Sequence, residues 1–451
     1  MTAPQGLSGR RRIAAVIAIS IGSLMLMIDS SIAAVVLPTI ATELGVAGAS
    51  TMLVVTVYQL ILAMTLLPLS ALGVKFGYRR LYQAGFVLHC AAGVMCLLAD
   101  SLLALILVRG LQSLAAAMAM SVAVAMLRSI YPPNRLGSGL ALNTIFNASG
   151  TALAPVVGGL IISFASWQWA FVAVVPLAII SLTFSRSLPD PDPQQHTFDL
   201  RGAGLCALTF GLLIGGLEGA VHTSYLLTSL AVIAAGVLAG WVLIRHEKGE
   251  AQPVLPVDLL ANPALGLTVL ATFIGTLGTL VLILSMPFLL QQRYGFSPGE
   301  IGGMMAAYAV ASVMIAPLAG ALSDRIAVPL LCTFGMVVAA LGTATIALMP
   351  EQPTHFDVAW RLWFAGVGFG FFFSPNARLL VGSAPYHRAA AAGSLFTTTR
   401  MLAMAVGATV VSGLLSMGLG NGPVPAVLVA ILAVIAGGIS ATRLMGSKVA
   451  V

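Results

Sequence analysis

The chain has 451 residues, of which 59% are hydrophobic and only 8% charged, and its mean hydropathy is +1.03. No soluble fold of this size covers its surface with so few charges, so a water-soluble enzyme is excluded and lipid is part of the solvent. The net charge of +7 comes from cations scattered over short segments rather than gathered on one face, which argues against a nucleic-acid partner.

Arg10-Arg11-Arg12 and the apolar run behind them imitate a signal peptide. The run continues for about 25 residues to Leu37 with no small-residue cleavage site, so it is expected to be an uncleaved first span. A bilayer core of about 30 Å takes roughly 20 apolar helical residues. By that measure six spans are predicted near 13–37, 50–72, 80–99, 102–127, 138–162 and 168–187. Two more follow near 202–221 and 225–245, and the last six near 264–290, 299–323, 329–349, 361–383, 391–417 and 423–445. The longest polar stretches, Pro189 to Arg201 and His246 to Asn262, divide these fourteen spans. The predicted organisation is a six-helix bundle over 1–188, linker loops and a helix pair over 189–262, and a second six-helix bundle over 263–451.

With the N-terminus inside, sixteen of the 21 Lys and Arg residues fall on cytoplasmic segments. Only Arg293 and Arg361 fall outside, while Arg109, Arg378 and Arg400 lie within spans. This positive-inside bias predicts that both termini are cytoplasmic. The four cysteines, Cys90, Cys96, Cys206 and Cys332, sit in apolar spans without metal-ligand spacing and read as buried hydrophobes. Nothing resembles a phosphate-cradling loop, so ATP is not the expected energy source.

The stretch from Tyr58 to Gly77 returns in fainter form 250 positions later, from Tyr308 to Ala327. Repeated halves are one way in which transporters build a site between two bundles. After the second span, SALGVKFGYRR (with Gly77, Arg79 and Arg80) resembles the Gly-x-Leu-x-Asp-Arg-x-Gly-Arg-Arg-Arg turn of the major facilitator superfamily. The repeat offers Asp324-Arg325 at the corresponding turn. Arg109-Gly110-Leu111-Gln112 resembles an Arg-x-x-Gln proton-linked motif, and Gly150 through Pro155 to Gly158-Gly159 resembles the antiporter motif Gly-x-x-x-Gly-Pro-x-x-Gly-Gly. Asp29 through Pro38, Trp167-Gln168-Trp169 and Pro253 to Asp258 also fit. In this order and spacing the chain is similar to the fourteen-helix drug:proton antiporters of that superfamily. It departs from them at Val74 (for Asp), Ala34 (for Asn) and Ala154 (for Gly). Loss of the acid at Val74 is expected to weaken the inner-gate charge interaction of the first half.

Asp29 lies about 16 residues, roughly 24 Å, into the first span, and Arg109 about 7 residues from the outer end of the fourth. Opposite charges at matched depth are expected to pair, either as a static tie or as a proton-coupling pair. Polar lining of a substrate cavity is expected from Tyr58, Gln59, Gln112, Asn143, Asn147, Tyr308, Asn376 and Arg400, with interhelical hydrogen bonds as the plainer reading. Met118, Met120, Met304, Met305, Phe369 and Phe371 to Phe373 suit either an adaptable pocket or plain packing. Gly150, Pro155, Gly158 and Gly159 suit a pivot or static close packing. Arg378 is expected to snorkel, Glu218 to be an interfacial charge, and lone His89 to be structural.

The expectation is an all-α integral membrane protein, multi-pass in a bacterial inner membrane. It acts as a monomer with lipid, protons and a small molecule as its partners, and carries no cofactor. It exports amphipathic, cationic compounds against the proton gradient by alternating access. The alternative is a proton-coupled carrier of a single metabolite. An intramembrane enzyme would need a nucleophile with its base, and a channel a selectivity filter; the sequence offers neither.

Overall fold

The computed structural model describes residues 7–132, 136–189, 199–221, 226–248, 259–260, 262–323, 325–382 and 389–447. Among them every regular element is a helix. The first eight are α1 (Gly9–Glu43), α2 (Gly48–Thr51), α3 (Leu53–Phe76), α4 (Tyr78–Met95), α5 (Leu102–Ile130), α6 (Leu136–Phe164), α7 (Gln168–Val172) and α8 (Val175–Phe184). Then come α9 (Leu200–Ala220), α10 (Leu226–Glu247), α11 (Pro263–Phe288), α12 (Pro298–Leu322), α13 (Val328–Ala347), α14 (His355–Gly382), α15 (Ala389–Ser416) and α16 (Val424–Ser447).

Fourteen segments are long and apolar enough to cross a membrane, with α2–α3 and α7–α8 each counting once. That is the number expected from the apolar runs. The 35 residues of α1 make it about 52 Å long, so it overruns a core of about 30 Å at both ends. The α7–α8 break has a local cause: Pro176 has no N–H to give to the carbonyl of Val172, where α7 stops. Gly77, at φ 96°, turns α3 sharply into α4, a conformation that a side chain would strain. Ser297 and Glu300 close a reciprocal cap that starts α12.

Helices α1 and α3–α8 pack among themselves, as do α11–α16, and α9 and α10 form a pair leaning on α3 and α15. The long seam between the two groups runs along α6 and α12. Here backbones meet directly: a Cβ on Gly159 would lie 2.6 Å from the Pro298 carbonyl oxygen, and one on Gly302 would lie 2.5 Å from that of Pro155. The opposite side of α6 packs as tightly on α1, where Gly150 faces the backbone of Leu24. Small residues permit this approach and gain dispersion contacts that lipid would not supply.

Among the described residues, the hydrogen bonds and glycine approaches joining the two groups gather toward one end of the molecule. It is called the far end here, where α1 finishes and α3 begins; α1 starts at the near end. There Ser412 of α15 donates to the Ala49 carbonyl of α2 at 3.2 Å, and Gly48 packs on Phe288. On the periphery, a groove of about 540 Å³ between α13 and α16 is lined by apolar residues such as Leu341 and Ile431.

Candidate functional site

Five helices converge on one ion pair. Asp29 of α1 and Arg109 of α5 are both 0% exposed, and Arg109 Nη1 donates to Asp29 Oδ1 at 2.7 Å. The same Nη1 lies 2.8 Å from Gln112 Oε1, one turn further along α5, and Nη2 reaches the Asp29 carbonyl at 3.2 Å. The guanidinium lies over the ring of Tyr58 from α3, 4.3 Å from its centroid, and over Phe171 from α7 at 4.9 Å. Two aromatic faces and three charge-assisted bonds thus compensate a cation removed from water.

The pair is not saturated. Asp29 Oδ2, Arg109 Nε and Gln112 Nε2 are buried without a hydrogen-bond partner. His89 of α4 brings Nε2 to 3.8 Å from Asp29 Oδ2, too far for a direct hydrogen bond, and neither of its ring nitrogens has a partner. A carboxylate oxygen with a free lone pair beside an unpartnered imidazole is a place where a proton can be received and passed on, directly or through one water. The sequence marked His89 as structural, since a lone His shows nothing about its neighbours. Its position mid-way along a span was the available signal.

The structure draws Tyr58 and Gln112 into the ion pair and buries Gln59 beside them, its Oε1 unpartnered. Asn143 of α6 accepts from Ser23 of α1 at 2.7 Å, and Asn143 and Asn147 are both half-buried. Tyr308 is buried edge-on to Phe369. Asn376 of α14 is buried inside the second group, donating to Thr272 of α11 at 2.7 Å and lying 3.3 Å from Nη1 of Arg443. Sequence counting placed Arg443 among the loop cations, yet it is 8% exposed and also donates to Thr268 and Ser440. Arg378 is exposed and donates to Ser323.

Arg400 stands apart: it is exposed by surface area yet surrounded by protein, its guanidinium 5.9 Å from the Phe373 ring and 5.7 Å from Phe396. Phe373 in turn stacks on Phe369. Met304, Met305 and Phe372 are buried in the core, and Met118, Met120 and Phe371 are half-buried. Arg80 and Arg325 are exposed beside the α3–α4 turn and its counterpart, Arg79 is half-buried, and Asp324 lies outside the described residues.

Glu218, expected to be an interfacial charge if the helix pair stood outside the two bundles, is instead 7% exposed. Its Oε2 accepts from Thr409 of α15 at 2.7 Å and from Thr56 of α3 at 3.4 Å, while Oε1 has no partner. The reason is the seat of α9, which fills the angle between α3 and α15 rather than standing outside both.

Comparison with known proteins accords with this architecture. The family model described as Major Facilitator Superfamily matches residues 19–408. The chain is 37% identical over 443 residues to the uncharacterized transporter YebQ of Escherichia coli (strain K12), covering 97% of each. It is 28% identical to the riboflavin transporter RibZ of Clostridioides difficile (strain 630), covering 87% of this chain and 85% of that one. It is 26% identical to the putative multidrug resistance protein MdtD of Escherichia coli O6:H1, covering 88% and 85%. Among solved structures, a bacterial homolog of the human lysosomal transporter Spinster, inward-facing and unoccupied, superposes with TM-score 0.70 at 15% identity, over 96% of this chain and 97% of that one. A D-xylose–proton symporter does so with TM-score 0.68 at 15% identity, over 95% and 97%. Fourteen membrane-crossing helices, an Asp–Arg pair sealed between α1 and α5, and these matches lead to one statement: the chain is a multi-pass membrane transporter that belongs to the major facilitator superfamily.

Proposed function

We propose that this transporter is an antiporter exporting amphipathic small molecules in exchange for protons, with Asp29 as the proton carrier and Arg109 as its counter-charge. The observation that carries this reading is the fully buried Asp29–Arg109 pair whose Oδ2 remains unpartnered beside His89. The chain works as a single copy in a bacterial inner membrane with both termini in the cytoplasm, the orientation its Lys and Arg distribution favours. The proton gradient supplies the energy, and no cofactor enters.

A proton on Oδ2 neutralises Asp29 and removes the Coulomb attraction that holds Arg109 against α1. Arg109 keeps Gln112 and the faces of Tyr58 and Phe171, so it stays with α5, while its tie to α1 is weakened to the neutral bond from Nη2 to the Asp29 carbonyl. Because α1 packs on α6 at Gly150, and α6 on α12 at Gly159 and Gly302, a small shift of α1 reaches the seam between the helix groups. Closure at the far end then gives way to closure at the near end. Cargo and proton alternate, since each favours a different arrangement of the same seam.

The test is drug-induced dissipation of a pH gradient in everted vesicles, with probes of both charge signs and with Asp29→Asn beside wild type. Cargo-dependent proton release in wild type that Asp29→Asn abolishes supports the reading; wild type that moves cargo equally well with the gradient collapsed sinks it. The likeness to a riboflavin transporter favours a second reading, proton-coupled carriage of one metabolite, which would show as a response to one probe of a panel.

A further inference from the structure

We propose that Arg400 is the selectivity point of the translocation cavity, and that the cargo is an amphipathic organic anion: an aromatic ring system bearing a carboxylate or sulfonate. The inference deepens the transport reading above and rests on it.

Arg400 lies eleven residues into α15, about 17 Å from its start, and so at mid-membrane depth. An arginine turned to lipid at that depth is unfavourable, and one packed in the core needs partners. Arg400 satisfies neither description. Its surface is exposed, protein surrounds it, and its guanidinium forms no hydrogen bond or ion pair with any described residue. A side chain with these properties faces an internal space that water reaches. The other arginines of the spans differ: Arg109 is held by Asp29, Arg443 by three neutral oxygens, and Arg378 reaches Ser323. Among these four, Arg400 keeps its fork of N–H donors open to a ligand.

Its surroundings give the ligand a shape. Phe373 and Phe396 present ring faces within 6 Å of the guanidinium, so a flat apolar body can stack where the charge is met. Acids decide the sign. Among the described residues, the buried carboxylates near that depth are Asp29, 0% exposed beneath Arg109, and, two residues from the end of α9, Glu218, 7% exposed under Thr56 and Thr409. Neither offers a carboxylate to the space that Arg400 faces. A lipophilic cation entering there meets an uncompensated positive charge, whereas an anion completes the site. The cationic cargo expected from the sequence therefore finds no carboxylate beside Arg400 among the described residues.

Equilibrium dialysis of the purified full-length protein tests this, with 2-naphthoate and 2-naphthylmethylammonium as probes that share a ring and differ in charge. Wild type is expected to bind naphthoate at least about tenfold more tightly. Arg400→Gln should weaken naphthoate binding about tenfold to a hundredfold and erase the preference. Arg400→Lys should keep part of it, as a point charge without the planar fork. Wild type that shows no preference for naphthoate overturns the proposal whether or not the variants fold. So does a native-like Arg400→Gln that retains the preference. Dialysis involves no gradient, so anion preference alongside a failed antiport assay would remove the proton coupling and leave the cargo class standing.

Discussion

Removing one member of the Asp29–Arg109 pair should cost more than removing both. In Asp29→Asn, Arg109 keeps its charge at a site of 0% exposure but loses the anion 2.7 Å away. In Arg109→Gln, Asp29 is left as a buried carboxylate without a cation. At an effective dielectric constant of about 20, opposite charges some 4 Å apart attract by about 4 kcal/mol. Breaking such a pair from either side costs about 3–5 kcal/mol, because the abandoned charge remains desolvated. In the double variant both positions carry neutral amides that can hydrogen-bond to each other, and only the polar packing is disturbed. We expect each single variant to lose about 3–5 kcal/mol, and the double variant to be more stable than either, with a coupling energy of at least about 2 kcal/mol. The assay is reversible denaturant unfolding of all four proteins in one detergent, followed by proton-coupled transport of the double variant in vesicles. A double variant destabilised by the sum of the singles, within about 0.5 kcal/mol, would refute an electrostatic tie. A double variant that is stable and still proton-coupled would refute Asp29 as the carrier.

Three further expectations follow from the same geometry. Gly159→Ala should disfavour closure of the far end, because its methyl would meet the backbone of Pro298 at 2.6 Å rather than a movable side chain; a cysteine placed at the far end should then react faster with an impermeant thiol reagent, and an unchanged rate contradicts the prediction. The pair Ala49→Cys and Ser412→Cys spans the 3.2 Å contact between α2 and α15, so oxidation should cross-link it and stop transport, with reductant restoring it. Burial pushes the Asp199 carboxyl up, but the Gly202 amide and the His246 ring outweigh this and hold it below the usual carboxylate range. Its contribution, about 1 kcal/mol as a helix cap, is thus complete above the unfolded carboxylate value near about 4 and lost as pH falls through the lower folded value. Asp199→Asn should flatten that acid limb in a series of melting temperatures, and an unchanged limb would exclude the cap as its source.

The spans are legible in the sequence because lipid tolerates only long apolar helices, and the scattered cations punctuate them. Asp29 and Arg109 are legible as a pair for a related reason: two opposite charges at similar depth have few alternatives to each other. What the sequence leaves open is helical phase and lateral order. Tyr58, Gln112 and Asn376 show by composition only that they avoid lipid; whether they face a cavity or a buried charge depends on rotation about the helix axis. The structure turns the first two onto Arg109 and the third onto Arg443. Glu218 depends on where α9 docks, which no local pattern encodes. Arg443 illustrates a limit of charge counting, because a cation one turn inside a helix end contributes to orientation statistics while serving as an internal hydrogen-bond donor.

The far-end seam is thin. From Pro155 to Phe164, the stretch of α6 that meets the start of α12, is ten residues, rising about 14 Å from first to last, against a hydrocarbon core of about 30 Å. Water reaching Arg400 carries the electrical potential of its own compartment inward. The membrane voltage, worth about 2.3 kcal/mol per elementary charge at 100 mV, then falls mainly across that seam. The local field is about twice that of an undisturbed bilayer. On the proposed antiport cycle, a proton crossing the seam to reach Asp29 would do most of its electrical work in those few turns of helix, so the thin layer, and not the length of the protein, would set how strongly the cycle responds to voltage.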